Sequence, residues 1–441
     1  MTPAQPSPRV DILQRAGFWA AALFLFIAYS RILEFVLTGF HIPTLVLALA
    51  VVLAVLTGGV QRSLASPAGI CLLLLTIWMV VGIPFAVWRG GAAQTVNSWL
   101  RAAATYYVIA GLVLTQEQLR SAFSVMAGSI SILAVLALIF GSTESGRLML
   151  PWEGKFSNPN DLAAIMLIGL PFWWYLLTNS RARLVTRALA LGAIGLLLTI
   201  LLRTGSRGAM VGVVAIMVVL VIQASGVRRI QIAAASLLIA AVAALLLPAS
   251  LMERYFTYFD REEAADSDLQ TSAVSSAEAR SAILIESIRV TLQNPLFGVG
   301  AGQFSVAQDA LAKERGESRG AWAVTHNSYT QVSSETGIPG LLFYLAALVL
   351  SFRALRACKP GPGARTREEE DLGRMAACLQ VALLAYAVCS FFMSVAYQMY
   401  FPLLAALSMS AASIRRQMLL APAPAPPPRA RAAAAAAGRV R

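Results

Sequence analysis

Three side chains lying far apart in the chain have the types and settings needed to act on an anionic substrate at a membrane face. They are Arg207, Arg280 and His326. His326 lies in Thr325-His326-Asn327-Ser328-Tyr329, followed by Glu335-Thr336-Gly337-Ile338-Pro339-Gly340, where a long polar stretch gives way to an apolar run. It is one of only 2 histidines in the chain. Histidine is the side chain best suited to proton transfer near neutral pH. Arg207 sits in the reversal Arg203-Thr204-Gly205-Ser206-Arg207-Gly208, and Arg280 in Ala277-Glu278-Ala279-Arg280-Ser281 at the head of an amphipathic stretch with Ile283, Leu284, Ile288 and Leu292. A guanidinium grips phosphate oxygens with a planar fork and keeps its charge in a partly dry site. Two such cations can stabilise the negative charge that grows on a departing lipid diphosphate. The imidazole can take the proton from an attacking hydroxyl.

Each residue also has an ordinary reading. Arg207 can be a snorkelling arginine at a helix end, Arg280 a solvated charge and His326 a structural interfacial histidine. His41, the other histidine, has no polar company and is given no role. Secondary candidates for contacts to a diphosphate or glycan are Lys155, Asn158 and Asn160 in Glu153-Gly154-Lys155-Phe156-Ser157-Asn158-Pro159-Asn160-Asp161, together with Tyr329 and Glu335. Helix capping is the default use of Asn160 or Asp161. The turn Asn294-Pro295-Leu296-Phe297-Gly298-Val299-Gly300-Ala301-Gly302 looks like a glycine loop for phosphate, but it lacks the strand-turn-helix setting of a dinucleotide site. It is read instead as a sharp turn back toward the bilayer.

Composition dictates what must position these residues. With 58% hydrophobic and 13% charged residues and a mean hydropathy of +0.69, the chain is far from the balance of a soluble domain. Apolar runs long enough to cross a hydrocarbon core as helices recur along it. The expectation is an all-α polytopic membrane protein with about twelve spans, near residues 12–30, 42–58, 68–88, 101–115, 121–141, 159–178, 186–203, 208–224, 230–248, 328–352, 374–394 and 396–413. Threaded this way, Arg9, Arg15, Arg62, Arg120, Arg181, Arg183, Arg187, Arg228, Arg229, the Arg353–Arg374 segment, Arg415 and Arg416 fall on one side, which predicts both termini to be cytoplasmic. The expected organisation is nine spans in 1–248, one large loop subdomain on the opposite side in 249–327, three spans in 328–415 and a disordered cytoplasmic tail in 416–441. The tail is Pro-Ala and Ala-rich with scattered arginine.

The net charge of +13 suits an arginine-rich face against anionic headgroups rather than a nucleic-acid partner. Cys71, Cys358, Cys378 and Cys389 form neither a disulfide framework nor a zinc spacing, so no metal or cofactor is expected. The Asp266-Ser267-Asp268 run reads as solvated charge, and no P-loop is present. The first apolar run lacks a convincing small-residue cleavage site and reads as a retained anchor.

The order of Phe156-Ser157-Asn158-Pro159-Asn160-Asp161-Leu162-Ala163, Thr204-Gly205-Ser206-Arg207-Gly208, Arg280 with the Asn294–Gly300 turn, and His326-Asn327-Ser328-Tyr329 through Glu335-Thr336-Gly337 resembles the O-antigen ligase and polymerase family. The resemblance extends over roughly 15–415, and its specific part is 156–340. It implies a metal-independent glycosyltransferase of the GT-C type in a Gram-negative inner membrane, multi-pass, with its site under the large periplasmic loop and inversion at the anomeric carbon. It further implies an undecaprenyl-diphosphate-linked glycan as donor, and Arg207, Arg280 and His326 as the functional set. Lipid A-core oligosaccharide is the leading acceptor. An O-antigen or exopolysaccharide polymerase and a protein O-oligosaccharyltransferase would use the same donor chemistry. A lipid-linked-oligosaccharide transporter is the reading from another class, disfavoured because neither internal repeats nor matching broken spans are evident.

Overall fold

The computed structural model describes residues 8–33, 41–144, 146–151, 158–180, 182–227, 229–234, 237, 268–314, 316, 322–359 and 366–420, and structural statements below refer to these. Helices dominate. In chain order they are α1 (Pro8–Ser30), α2 (Ile42–Leu56), α3 (Gly59–Leu64), α4 (Pro67–Gly82, continued by a 3-10 turn at Ile83–Phe85), α5 (Arg89–Leu112), α6 (Gln116–Phe140), α7 (Pro159–Thr178), α8 (Leu184–Arg203), α9 (Arg207–Gln223), α10 (Asp268–Gln293), α11 (Phe304–Glu314), α12 (Ser328–Ala357), α13 (Arg367–Cys389) and α14 (Tyr400–Leu420). Between α6 and α7 a short hairpin pairs β1 (Ser142–Glu144) antiparallel with β2 (Arg147–Met149), setting Glu144 opposite Arg147.

Among the described residues seven helices are long and apolar enough to cross a membrane, at Ile12–Ser30, Pro67–Phe85, Gln116–Phe140, Pro159–Thr178, Leu184–Arg203, Ser328–Ala357 and Arg367–Cys389. The chain is thus mostly helical and multi-pass in character. The expected count of twelve is not reproduced. The spans expected at 42–58 and 208–224 are shorter apolar helices, Ile42–Leu56 and Arg207–Gln223. The one expected at 101–115 belongs to α5, which begins at Arg89; the polar residues Gln94, Asn97 and Arg101 within it dilute its hydropathy. The one expected at 396–413 belongs to α14, which runs on through Arg415 and Arg416 to Leu420. Most of 230–248, and all of 421–441, lie outside the described residues.

The helices pack through one continuous apolar core reaching from Phe18 on α1 to Ile414 on α14. α7 lies against α6, α8 and α13, and α12 against α4, α10 and α14, while Val290 of α10 forms a separate small apolar cluster with Val299, Phe304 and Ala307. Two polar ends follow from this packing. At one end the buried Asp371 of α13 accepts from Arg120 (2.6 Å) and Gln116 (3.0 Å) of α6, from the Tyr175 hydroxyl of α7 (3.1 Å) and from Arg374 (3.1 Å). Arg415 pairs with Glu369 beside it. Arg62 reaches the carbonyl of Gly111 at the adjoining end of α5 (2.9 Å). Charges buried this way must be paired, and their arginines belong to the side expected to be basic. The 20 residues of α7 then rise about 1.5 Å each, so its other end lies on the order of 30 Å away. That end holds the candidate site.

Candidate functional site

Four short segments converge there. The first is the start of α7, where the N-cap is Asn158 and not Asn160 or Asp161 as expected, because Pro159 already occupies the first helical position; the Asn158 side chain accepts from the Asn160 amide (2.9 Å). Pro159 at the first helical position is pre-set for the helix. The second is the reversal between α8 and α9. Gly205 takes the left-handed conformation (φ 59) that lets the chain turn back at once. Ser206 then caps α9 through the Ala209 amide (3.4 Å). Arg207 is the first residue of α9.

The third segment carries His326. Its φ of 49 places a non-glycine residue in the left-handed region, a conformation that persists only where neighbours hold it. The neighbours do so. Asn327 caps α12 by accepting from the amides of Tyr329 (2.9 Å) and Thr330 (3.1 Å). On the other flank Thr325 bonds the Ser394 hydroxyl (2.9 Å). The amide of Ser328 donates to Ser390 (2.7 Å), and its hydroxyl donates to Met393 (2.7 Å) while accepting from Val395 (3.0 Å). The 390–396 connection after α13 is the fourth segment, and it also bears on α9: Phe392 packs directly over Gly208, the residue after Arg207.

Arg280 approaches from α10, which is joined to α12 by the Thr291–Ser333 hydroxyl pair (2.9 Å). The glycine turn after α10 completes the seating. Val299 and Gly300 donate to the carbonyls of Ser334 (2.9 Å) and Glu335 (3.0 Å), and Ile338 donates to Pro295 (2.7 Å). The backbones approach so closely that a Cβ at Gly298 would collide with the Glu335 carbonyl carbon, and α12 is kinked at Gly337 (φ 73) to admit the turn. Trp78 of α4 bonds the Thr336 carbonyl (2.9 Å) and stacks on Phe297 (4.8 Å), locking the kink from outside.

The electrostatics tie the three principal residues together. Burial, and then the charge of Arg207, lower the pKa of Arg280. Burial, and then the charge of Arg280, lower that of His326 from its ordinary 6.5. Arg207, Arg280 and His326, spread over 119 positions of the sequence, thus share one half-buried electropositive place. A neutral imidazole accepts a proton, and two guanidiniums beside it favour a multiply charged anion.

The secondary candidates have other surroundings. Glu335 is only 4% exposed and accepts from the Gly302 amide (2.8 Å), which anchors the glycine turn. The Tyr329 hydroxyl donates to the Ala387 carbonyl of α13 (2.8 Å) and its ring leans on Phe391 (4.5 Å). Asn160, 8% exposed, uses its Oδ1 to accept from Arg147 (2.9 Å) and from Ser206 (2.9 Å). Lys155 lies outside the described residues. Arg147 and the 390–396 connection are parts of this end that sequence reasoning passed over. Neither stands in a motif, and only the packing brings them to the site. Among the described residues no group of three or more His, Cys, Asp or Glu could hold a metal ion.

Residues 192–345, which include Arg207, Arg280 and His326, match the family model described as O-antigen ligase. Over that segment the chain is similar to the O-antigen ligase/polymerase family. Its members are membrane glycosyltransferase-like enzymes, ligases or polymerases, that act on lipid-linked glycans. No curated protein matches the chain. A solved structure titled "Structural coordination of polymerization and crosslinking by a peptidoglycan synthase complex" is similar to 80% of this chain and 98% of that chain, at 16% identity and a TM-score of 0.39. That degree of likeness carries no argument about the site.

Proposed function

We propose that this protein transfers a glycan from undecaprenyl diphosphate to a hydroxyl of lipid A-core oligosaccharide, as a metal-independent GT-C-type enzyme of the bacterial inner membrane with its site on the periplasmic side. The observation that carries the proposal is the convergence of His326, Arg280 and Arg207 at one end of the helices. Arg207 and Arg280 hold the diphosphate and take up the charge that develops as the sugar leaves. His326, kept neutral by its surroundings, removes the proton from the acceptor hydroxyl as that oxygen attacks the anomeric carbon. The Arg120–Asp371 end, about 30 Å away along α7, then faces the cytoplasm, in keeping with its arginines.

The test is transfer by the full-length protein in proteoliposomes from a polyprenyl-diphosphate-linked glycan, with and without lipid A-core, read on a gel that resolves single additions. One shift that requires lipid A-core is the expected result. A ladder formed from the donor alone would make the protein a polymerase instead. His326→Ala should insert normally and transfer nothing; full activity in that variant removes histidine from the mechanism.

A further inference from the structure

Thr204, Ser206 and Asn160 are almost wholly buried, and Arg147 reaches in to join them from the β1–β2 hairpin. Its Nε donates to the Thr204 carbonyl (2.9 Å) and one terminal nitrogen donates to Asn160 Oδ1 (2.9 Å). The Ser206 hydroxyl donates to the same Oδ1 (2.9 Å). These bonds close a ring around Gly205, the left-handed pivot that aims Arg207. A guanidinium and a serine hydroxyl both reaching one amide atom require that atom to be the oxygen, so the orientation of the Asn160 amide follows from chemistry. The hairpin is itself anchored, since Leu148 beside Arg147 belongs to the apolar core. It lies outside the segment that matches the ligase family model.

We propose that Arg147 is a positioning residue: through Thr204 and Asn160 it fixes the reversal that presents Arg207 to the substrate diphosphate. The inference rests on the reading of Arg207 given above. Two different nitrogens of one rigid planar group meet the two acceptors, a geometry that the single nitrogen of an ammonium does not reproduce, so the requirement is for arginine and not for positive charge. Loosening the reversal leaves Arg207 in place chemically but displaces it, and displacements of about 1 Å cost catalysis on the order of 100-fold.

The experiment compares Arg147→Met and Arg147→Lys in full-length protein in proteoliposomes. It reads melting temperature, amide hydrogen exchange of the 204–208 reversal, and kcat and KM for a polyprenyl-diphosphate-linked glycan, in the wild-type and Arg207→Lys backgrounds. Both variants should speed exchange in the reversal and lower kcat roughly 10- to 100-fold in the wild-type background. They should add almost nothing to the loss already caused by Arg207→Lys. Wild-type kcat in Arg147→Lys, unchanged exchange in the reversal, or losses that multiply in the Arg207→Lys background would each overturn the proposal. Should Arg147→Met fail to fold, Arg147→Lys alone decides by the same criteria. Wild-type turnover in Arg207→Lys by itself overturns the diphosphate reading and the positioning role with it. That result is distinct from an impaired Arg207→Lys beside an unaffected Arg147 variant, which sinks the positioning role alone.

Discussion

The contact between Gly208 and Phe392 offers the sharpest perturbation of the site that leaves every proposed catalytic side chain in place. A Cβ built on Gly208 lies 2.7 Å from Cβ, 2.8 Å from Cγ and 3.0 Å from Cδ2 of Phe392. Non-bonded carbon atoms rest no closer than about 3.5 Å, so Gly208→Ala must force the two segments apart by about 0.8 Å. The ring cannot easily swing away, because the clash includes its own Cβ. One of the separated segments carries Arg207 and the other holds the flanks of His326 through Ser328 and Thr325. Overpacking of this kind costs about 1–3 kcal/mol of stability, and a shift near 1 Å in an active site costs on the order of 100-fold in rate. The assay is single-turnover glycan transfer in proteoliposomes with thermal unfolding in parallel. Gly195→Ala on α8 serves as the control, since a Cβ there meets nothing within 4 Å. Gly208→Ala should lower the transfer rate by one to two orders of magnitude, and Phe392→Gly, which removes all three clashing atoms, should restore much of the loss when added to it. A wild-type rate in Gly208→Ala, or no recovery in the double variant, would refute the idea that this contact sets the distance between the arginine and the histidine.

Two further outcomes concern the titration of His326 and the opposite end of the helices. Because burial and Arg280 both hold the His326 pKa below its ordinary 6.5, the reactive neutral imidazole survives to lower pH than free histidine. The acid limb of kcat/KM should therefore lie below 6.5 and move upward in the residual activity of Arg280→Met; a limb at or above 6.5 in the wild type counts against His326 as the base. The same shift makes a stability statement: the unfolded chain takes up this proton near 6.5 while the fold resists it, so the contribution is complete above that value and is lost as pH falls toward the folded pKa. At the opposite end, Asp371→Ala strips the buried acceptor from Arg120, Gln116, Tyr175 and Arg374. It should destabilise the protein by about 3–5 kcal/mol while leaving turnover per folded molecule unchanged. A specific loss of kcat with normal melting would tie that end to catalysis.

Much of this was legible along the chain because the signals are local. An apolar run of twenty residues must be a helix in a bilayer wherever it sits, and Gly205 and Gly208 announce the 203–208 reversal through backbone chemistry that needs no distant partner. Composition likewise settled the class, and the charges of Arg120, Arg374 and Arg415 their common side. Where helix limits were misjudged, the reasons differ: at α5 the helix takes in the polar residues Gln94, Asn97 and Arg101 ahead of its apolar run, and at α14 Arg415 can lie inside a helix end because Glu369 of another helix meets it. The same holds for the site. His326, Arg280 and Arg207 could be singled out by type and spacing, but their meeting depends on α10, α12 and the 390–396 connection packing together. Arg147 carried no signal at all, since its significance comes from a carbonyl and an amide contributed by two other helix ends. Local sequence determined which segments turn, cap and cross. Long-range packing decided which of them face one another, because hydrogen bonds and charges act across a few ångströms of space whatever their separation along the chain.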